Sequence, residues 1–231
     1  MRYNRVAVLV ALLLILAATA ASAAPYNYKP NSLRFRYGDF ELDGDSVYWR
    51  TREADFFGST SDFDDDRLGV TFTHMRSERW GVMFTASAHE GQQTTSFIDF
   101  VDFDGSDIFH TTTLETSDIG VGIVYYILRR DAIVAPYLGA GGGFYFYDLR
   151  EEGDFIDFDT FDVFSGSFTG SGDTFGLWAI VGLEIPITTS FSIFGEARWH
   201  DATADLEDDF RDFGEIDLGG RELTVGASFR F

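Results

Sequence analysis

The chain has no cysteine. That excludes disulfides, a lipid-modified N-terminal cysteine and any thiolate metal site. Past the first two dozen residues no apolar run approaches the roughly 20 residues a membrane-spanning helix needs. Basic residues are scarce: Lys and Arg total 17 against 38 Asp and Glu, for a net charge of −21. Such a surface field repels nucleic acid and anionic ligands and attracts cations, so no nucleic-acid partner is expected. What the chain does have is aromatic residues, at 17%, and 24 glycines.

The N-terminus reads as an export signal. Arg2 and Arg5 precede an apolar core, 6–18, and Ala21-Ser22-Ala23 forms a small-x-small cleavage site. Cleavage after residue 23 leaves about 208 residues with a net charge of 15 − 38 = −23. Residues 24–31 form a short tail kept irregular by Pro25 and Pro30, and 32–231 form one domain.

That domain alternates apolar and polar residues, the period of a strand. The last stretch is the clearest. Leu223, Val225, Ala227, Phe229 and Phe231 fall on one side, and Glu222, Thr224, Gly226, Ser228 and Arg230 on the other. The same pattern recurs from residue 32 and over 67–76, 80–89, 116–128, 134–147, 173–185 and 190–200, which makes eight strands. Three short turns alternate with four long segments, 43–66, 90–112, 148–172 and 201–220. Short turns at one end and long loops at the other, with an even strand count, predict an all-β, eight-stranded antiparallel transmembrane up-and-down β-barrel with both termini in the periplasm. A periplasmic β-sandwich would not need its long connections at every second position.

The C-terminus resembles the terminal signature of bacterial outer-membrane barrels, carried here by Thr224, Gly226, Phe229 and Phe231. The resemblance implies that the barrel-assembly machinery reads this strand. The stretch from Arg67 to Val82, P-Y-L-G-A-G-G-G-F at 136–144 and F-G-E-A-R-W at 194–199 are similar to small barrels of the OmpW type and the OmpA/opacity-like type. Those motifs imply architecture, an outer-membrane address in a Gram-negative bacterium, and partners in outer-membrane lipid and lipopolysaccharide. Function is left open between a structural or surface-interaction barrel and a narrow OmpW-like channel for small hydrophobic molecules. No peptidoglycan-binding domain is recognised, so wall anchoring by this chain is not expected.

The alternation turns Arg34, Arg36, Glu184, Glu196, Arg198, Glu222 and Arg230 inward. Charges in a narrow lumen must pair, so this row is read as an ion network. It plugs the barrel or lines a gated polar pathway. Trp178 and Phe194 also fall inward, and with Tyr126 and Tyr145 they line a small hydrophobic pocket toward the outer mouth or serve as core filler. The four long segments, counted together with Asp173, carry 29 acids and four arginines, or −25, which puts all of the net charge at one end. Phe recurs every third residue at 97, 100 and 103 and again at 155, 158, 161 and 164, with Asp between. The loops are read as a solvated acidic surface that divalent cations bridge to lipopolysaccharide; the Phe residues allow hairpin extensions or a sticky patch instead. Asp102, Asp104 and Asp107 suggest Ca²⁺, but the EF-hand spacing fails. No resident metal, cofactor or catalytic residue is expected. The best histidine, His200, sits at the outer end of strand seven. Lipid A deacylase barrels pair such a His with a Ser two residues on, where this chain has Ala202.

Overall fold

A computed structural model of the chain describes residues 29–231. The export signal and most of the tail lie outside the described residues. The barrel strands are β1 (Asn31–Leu42), β2 (Asp65–Met75), β3 (Trp80–Val101), β4 (Asp107–Tyr126), β5 (Ala135–Ile156), β6 (Val163–Pro186), β7 (Phe191–Asp201) and β10 (Gly220–Arg230). Two short strands, β8 (Thr203–Asp205) and β9 (Glu215–Asp217), pair with each other in the last long connection. The eight barrel strands close in the order β1-β10-β7-β6-β5-β4-β3-β2, every pair antiparallel. The first and last strands meet over eleven register positions, from Ser32 opposite Arg230 to Leu42 opposite Gly220. No edge is left in the ring, as lipid requires.

Side chains sort as the alternation demands. On β10, Leu223 and Val225 are 68% and 67% exposed, whereas Glu222 and Thr224 are buried. Outward rings form two belts, the usual mark of the two membrane interfaces. Trp80 and Tyr125 face each other across β3 and β4 at the end that carries the short turns. Trp199 stands at the other end, with Phe144 and Phe175 packed edge to face at 5.9 Å.

The strands are of two lengths, which the alternation did not predict. β1, β2, β7 and β10 run 11 or 12 residues, enough to cross the bilayer at the usual tilt. β3 to β6 run 20 to 24 residues. The segments 90–112 and 148–172 are therefore not loops. They carry on as paired strands, and the two hairpins make a four-stranded wall standing outside the membrane. The threonines at 111–113, 116 and 94–95 suit a pleated surface, and only the tips at 102–106 and 157–162 turn back.

The other two long connections fold against the wall's inner face. The first holds helix α1 (Val47–Asp55) and a 3-10 turn (Thr60–Phe63). Ser46 caps α1, its Oγ accepting from Trp49 N at 3.5 Å. The helix buries Tyr48, Trp49 and Arg52. The last connection holds β8, β9 and a second 3-10 turn (Asp208–Phe213). Trp49 Nε1 donates to Asp217 O at 3.1 Å and ties the two connections together. Beneath lies an outer core in which Phe40, Trp49, Phe63, Leu114, Leu149, Ile216 and Leu218 are all buried. The acidic connections are thus not simply a solvated surface: Tyr48, Trp49, Phe63 and Phe210 are buried beneath them.

Candidate functional site

Buried, paired side chains occupy the lumen. Near the periplasmic end Glu184 of β6 receives Arg34 of β1, Arg230 of β10 at 2.7 Å and the Tyr126 hydroxyl of β4 at 2.5 Å. In the middle, Arg198 donates to Glu196 at 2.8 and 3.2 Å and lies 5.0 Å over the Trp178 ring. Arg36 donates to Glu222 at 2.9 Å and to Thr71 and Thr85 at 3.0 Å each. Tyr137 donates to Glu196 at 2.9 Å. The seven charged residues read as a network from the alternation are all buried and all ion-paired. Charge-assisted bonds of this kind are what make burial of such groups tolerable.

Three more charges belong to the network. Arg67 pairs with Asp118 and Glu222 and lies 4.4 Å over Phe40. Both Arg67 and Asp118 fall in phase with the inward glycines of their strands, so the same alternation carried their signal. Arg130 carried no such signal. It sits in a short turn but is buried, its Nε 4.0 Å from Glu184, so it closes the floor rather than charging the periplasmic surface. Six arginines thus face four carboxylates inside the barrel. The cation surplus rests on aromatic rings, Arg34 over Tyr137 at 4.7 Å and Arg130 over Tyr126 at 5.7 Å.

His200 is not at the rim. It is buried between Tyr145 Oη at 2.8 Å and Glu222 Oε2 at 3.1 Å, with Phe40 edge-on at 5.9 Å. The four residues expected to line one hydrophobic pocket do not come together. Tyr126 and Trp178 pack in one cluster with Met83 and Tyr137, whereas Tyr145 joins the outer core. Phe194 lies near the periplasmic end, 5.0 Å from the Arg34 guanidinium. Trp178 fills its space: a Cβ on Gly120 would stand 2.8 Å from its Nε1, and Gly122 and Gly141 pass closer still. Those glycines are there because a ring lies across them, a distance constraint that alternation does not report.

In the terminal signature, Phe229 is exposed on the outside and packs 5.2 Å from Phe191. Thr224 faces inward and donates to Glu196 O at 3.4 Å. Gly226 has Phe194 directly against it. The Phe231 backbone exchanges two hydrogen bonds with Asn31, at 3.0 and 3.1 Å, which seals the ring.

A cavity of about 350 Å³ opens elsewhere, between the wall and α1, outside the membrane. Rings dominate its lining: Tyr48 and Phe56 from the first connection, Phe97 and Phe100 from β3, Phe155, Phe164 and Phe168 from the second hairpin, Phe158 at its tip, and Phe210 and Phe213 from the last connection. The Phe repeats thereby gain a meaning. Phe97, Phe100, Phe155, Phe158 and Phe164 line the cavity, while Phe103 and Phe161 stand exposed at the hairpin tips. Asp55, Asp99, Glu151 and Asp209 bring carboxylates, and Arg52 brings the one guanidinium. Burial pushes the Glu151 carboxyl up; nearby Arg52 and hydrogen bonds from Tyr48 and Thr112, at 3.1 and 3.3 Å, pull it back. His110 lies behind the lining, its ring 4.5 Å from Phe56 and 5.4 Å from Phe155. Burial and the Arg52 charge lower it to about 4. Among the described residues no three acidic or histidine side chains converge as a metal site. At the first hairpin tip, Asp104 Oδ1 instead accepts from Ser106 N at 3.0 Å and Ser106 Oγ at 2.7 Å.

A closed antiparallel ring, apolar outside and ionic inside, with aromatic belts and long connections at one end, defines a membrane-spanning β-barrel. The chain belongs to the outer membrane protein beta-barrel domain family, whose model matches residues 8–231. Its place is the bacterial outer membrane. Solved structures share the fold. OprG of Pseudomonas aeruginosa aligns at 17% identity and a TM-score of 0.53, over 89% of this chain and 98% of that one. A major outer membrane protein of Thermus thermophilus aligns at 13% and 0.52, over 87% and 99%. Neisserial surface protein A aligns at 11% and 0.51, over 87% and 96%. None of the curated proteins matches.

Proposed function

We propose that this protein is a closed, non-enzymatic barrel whose role is structural and surface-interacting, with the ordered outer cap as its contact surface. One observation carries the reading. Glu184, held by Arg34, Arg230 and Tyr126, is fully buried near the periplasmic end, and Arg198 lies over the buried Trp178 ring. Eight strands leave an interior that side chains can fill, and here they fill it with paired charges. A narrow channel for small hydrophobic molecules would have to break those pairs, which supports the closed reading over it. Both nitrogens of His200 are taken, by Tyr145 and Glu222, in a buried setting, which supports the non-enzymatic reading. Outside, the acidic tips suit divalent cations shared with lipopolysaccharide phosphates, and the terminal strand suits recognition by the barrel-assembly machinery.

The test is single-channel recording of the purified barrel in planar bilayers, with and without an applied voltage ramp. No resolved conductance steps are expected. Regular open steps would overturn the closed reading.

A further inference from the structure

We propose that the cavity between the outer wall and α1 binds an amphipathic organic cation, a substituted ammonium group on a compact apolar body. The proposal rests on reading the cap as the contact surface, and it gives that surface a ligand class.

Three observations carry it. The first is the lining. Phe56, Phe97, Phe155 and Phe210 line one partly open cavity large enough for a small organic molecule. The face of an aromatic ring is electron-rich, and several rings around one point make a cage for a cation that water has partly left.

The second is the charge at the same cavity. Four carboxylates line it against a single guanidinium. That guanidinium is largely held in place: Arg52 donates to Gln93 Oε1 at 2.6 Å and to Thr112 Oγ1 at 3.1 Å, and lies 4.9 Å over Phe63. Glu151 is held by hydroxyls alone and makes no ion pair among the described residues. A half-buried carboxylate with no contact ion pair among the described residues, only the Arg52 charge nearby, stands beside a cage of rings and is complementary to a ligand that brings both charge and apolar surface. An anion would meet four carboxylates. A neutral hydrocarbon would leave Glu151 desolvated and unpaired.

The third is access. The cavity faces the outside of the membrane, at the end where 29 acids stand against four arginines. That field raises the local concentration of cations and steers them inward.

The probes are benzyltrimethylammonium, its neutral carbon isostere neopentylbenzene, and benzenesulfonate, titrated calorimetrically into the full barrel in lipid nanodiscs. Nanodiscs keep detergent out of the cavity. Saturable one-to-one binding of the cation is expected, at least tenfold tighter than the isostere, with no binding of the sulfonate. Glu151→Gln is expected to weaken the cation about tenfold and leave the isostere unchanged. Phe155→Leu, which keeps bulk and removes the ring, is expected to weaken the cation several-fold. Both variants must keep the wild-type circular dichroism and the heat-dependent gel shift; if either does not, Asp209→Asn at the rim repeats the test. Equal or tighter binding of the isostere, binding of the sulfonate, or no binding at all overturns the proposal. A barrel that conducts yet binds the cation would sink the closed reading and leave this one standing. A silent barrel that binds nothing would do the reverse.

Discussion

Arg230 and Glu184 meet at 2.7 Å across the lumen, from strands separated in the ring by β7. Because Glu184 also takes Arg34 and Tyr126, one carboxylate joins β1, β4, β6 and β10. Glu184→Gln would leave Arg34, Arg130 and Arg230 buried around a neutral amide. Removing one partner of such a pair typically costs about 3–5 kcal/mol. The midpoint of heat unfolding in detergent should fall clearly; a midpoint equal to wild type would show that the pairs are incidental.

Arg198 is the central cation, with two bonds to Glu196 and a ring beneath it. Arg198→Ala is expected to destabilise the barrel by roughly 3 kcal/mol, since Glu196 loses its closest cation, keeping only Tyr137 and the more distant Arg34, and the contact with Trp178 is lost. Arg198→Lys should recover only part, since an ammonium cannot make the forked contact. Urea unfolding in liposomes ranks the three proteins. Equal stability for the lysine form and wild type would contradict the forked geometry.

His110 predicts an acid-sensitive cap. Its folded value of about 4 lies below the ordinary 6.5, so the unfolded segment takes up a proton that the folded one refuses. Stability is full above 6.5 and drains as pH falls toward 4. The loss amounts to at most about 3 kcal/mol, trimmed by whatever solvent reaches the ring. The raised carboxyl of Glu151 works the other way, so the comparison is with His110→Phe, which fits among the same rings. Across this window wild type should lose more stability than the variant. Parallel curves would remove His110 from the account.

Much of this was legible in the residues, and the gaps have physical causes. Period-two alternation reports faces: Glu222 and Arg230 fall on the buried row, and Arg67 and Asp118 lie in phase with the inward glycines of their strands. Alternation says nothing about height. Thr111 and Thr112 look the same whether a strand ends or continues, so alternation leaves loops and hairpin extensions both open for these segments. It is also silent on what lies across the lumen. Trp178 over Gly122 and His200 between Tyr145 and Glu222 are set by barrel closure, which brings together residues far apart in sequence. Phe155 and Phe210 reach one cavity only because the second hairpin and the last connection fold toward each other.

The unequal strand lengths leave two exposed margins. Above His89, β3 has no β2 beside it, and above Leu177, β6 has no β7. Open backbone of that kind recruits strands from other molecules. The cap occupies both sides. Phe57 N donates to Ser96 O at 3.0 Å on one margin. On the other, Thr169 N donates to Asp209 Oδ2 at 2.8 Å and Thr174 Oγ1 to Thr203 O at 2.8 Å. The first and last outer connections therefore cover backbone that would otherwise stand open to pairing with a strand of another chain, and shortening either one should expose it.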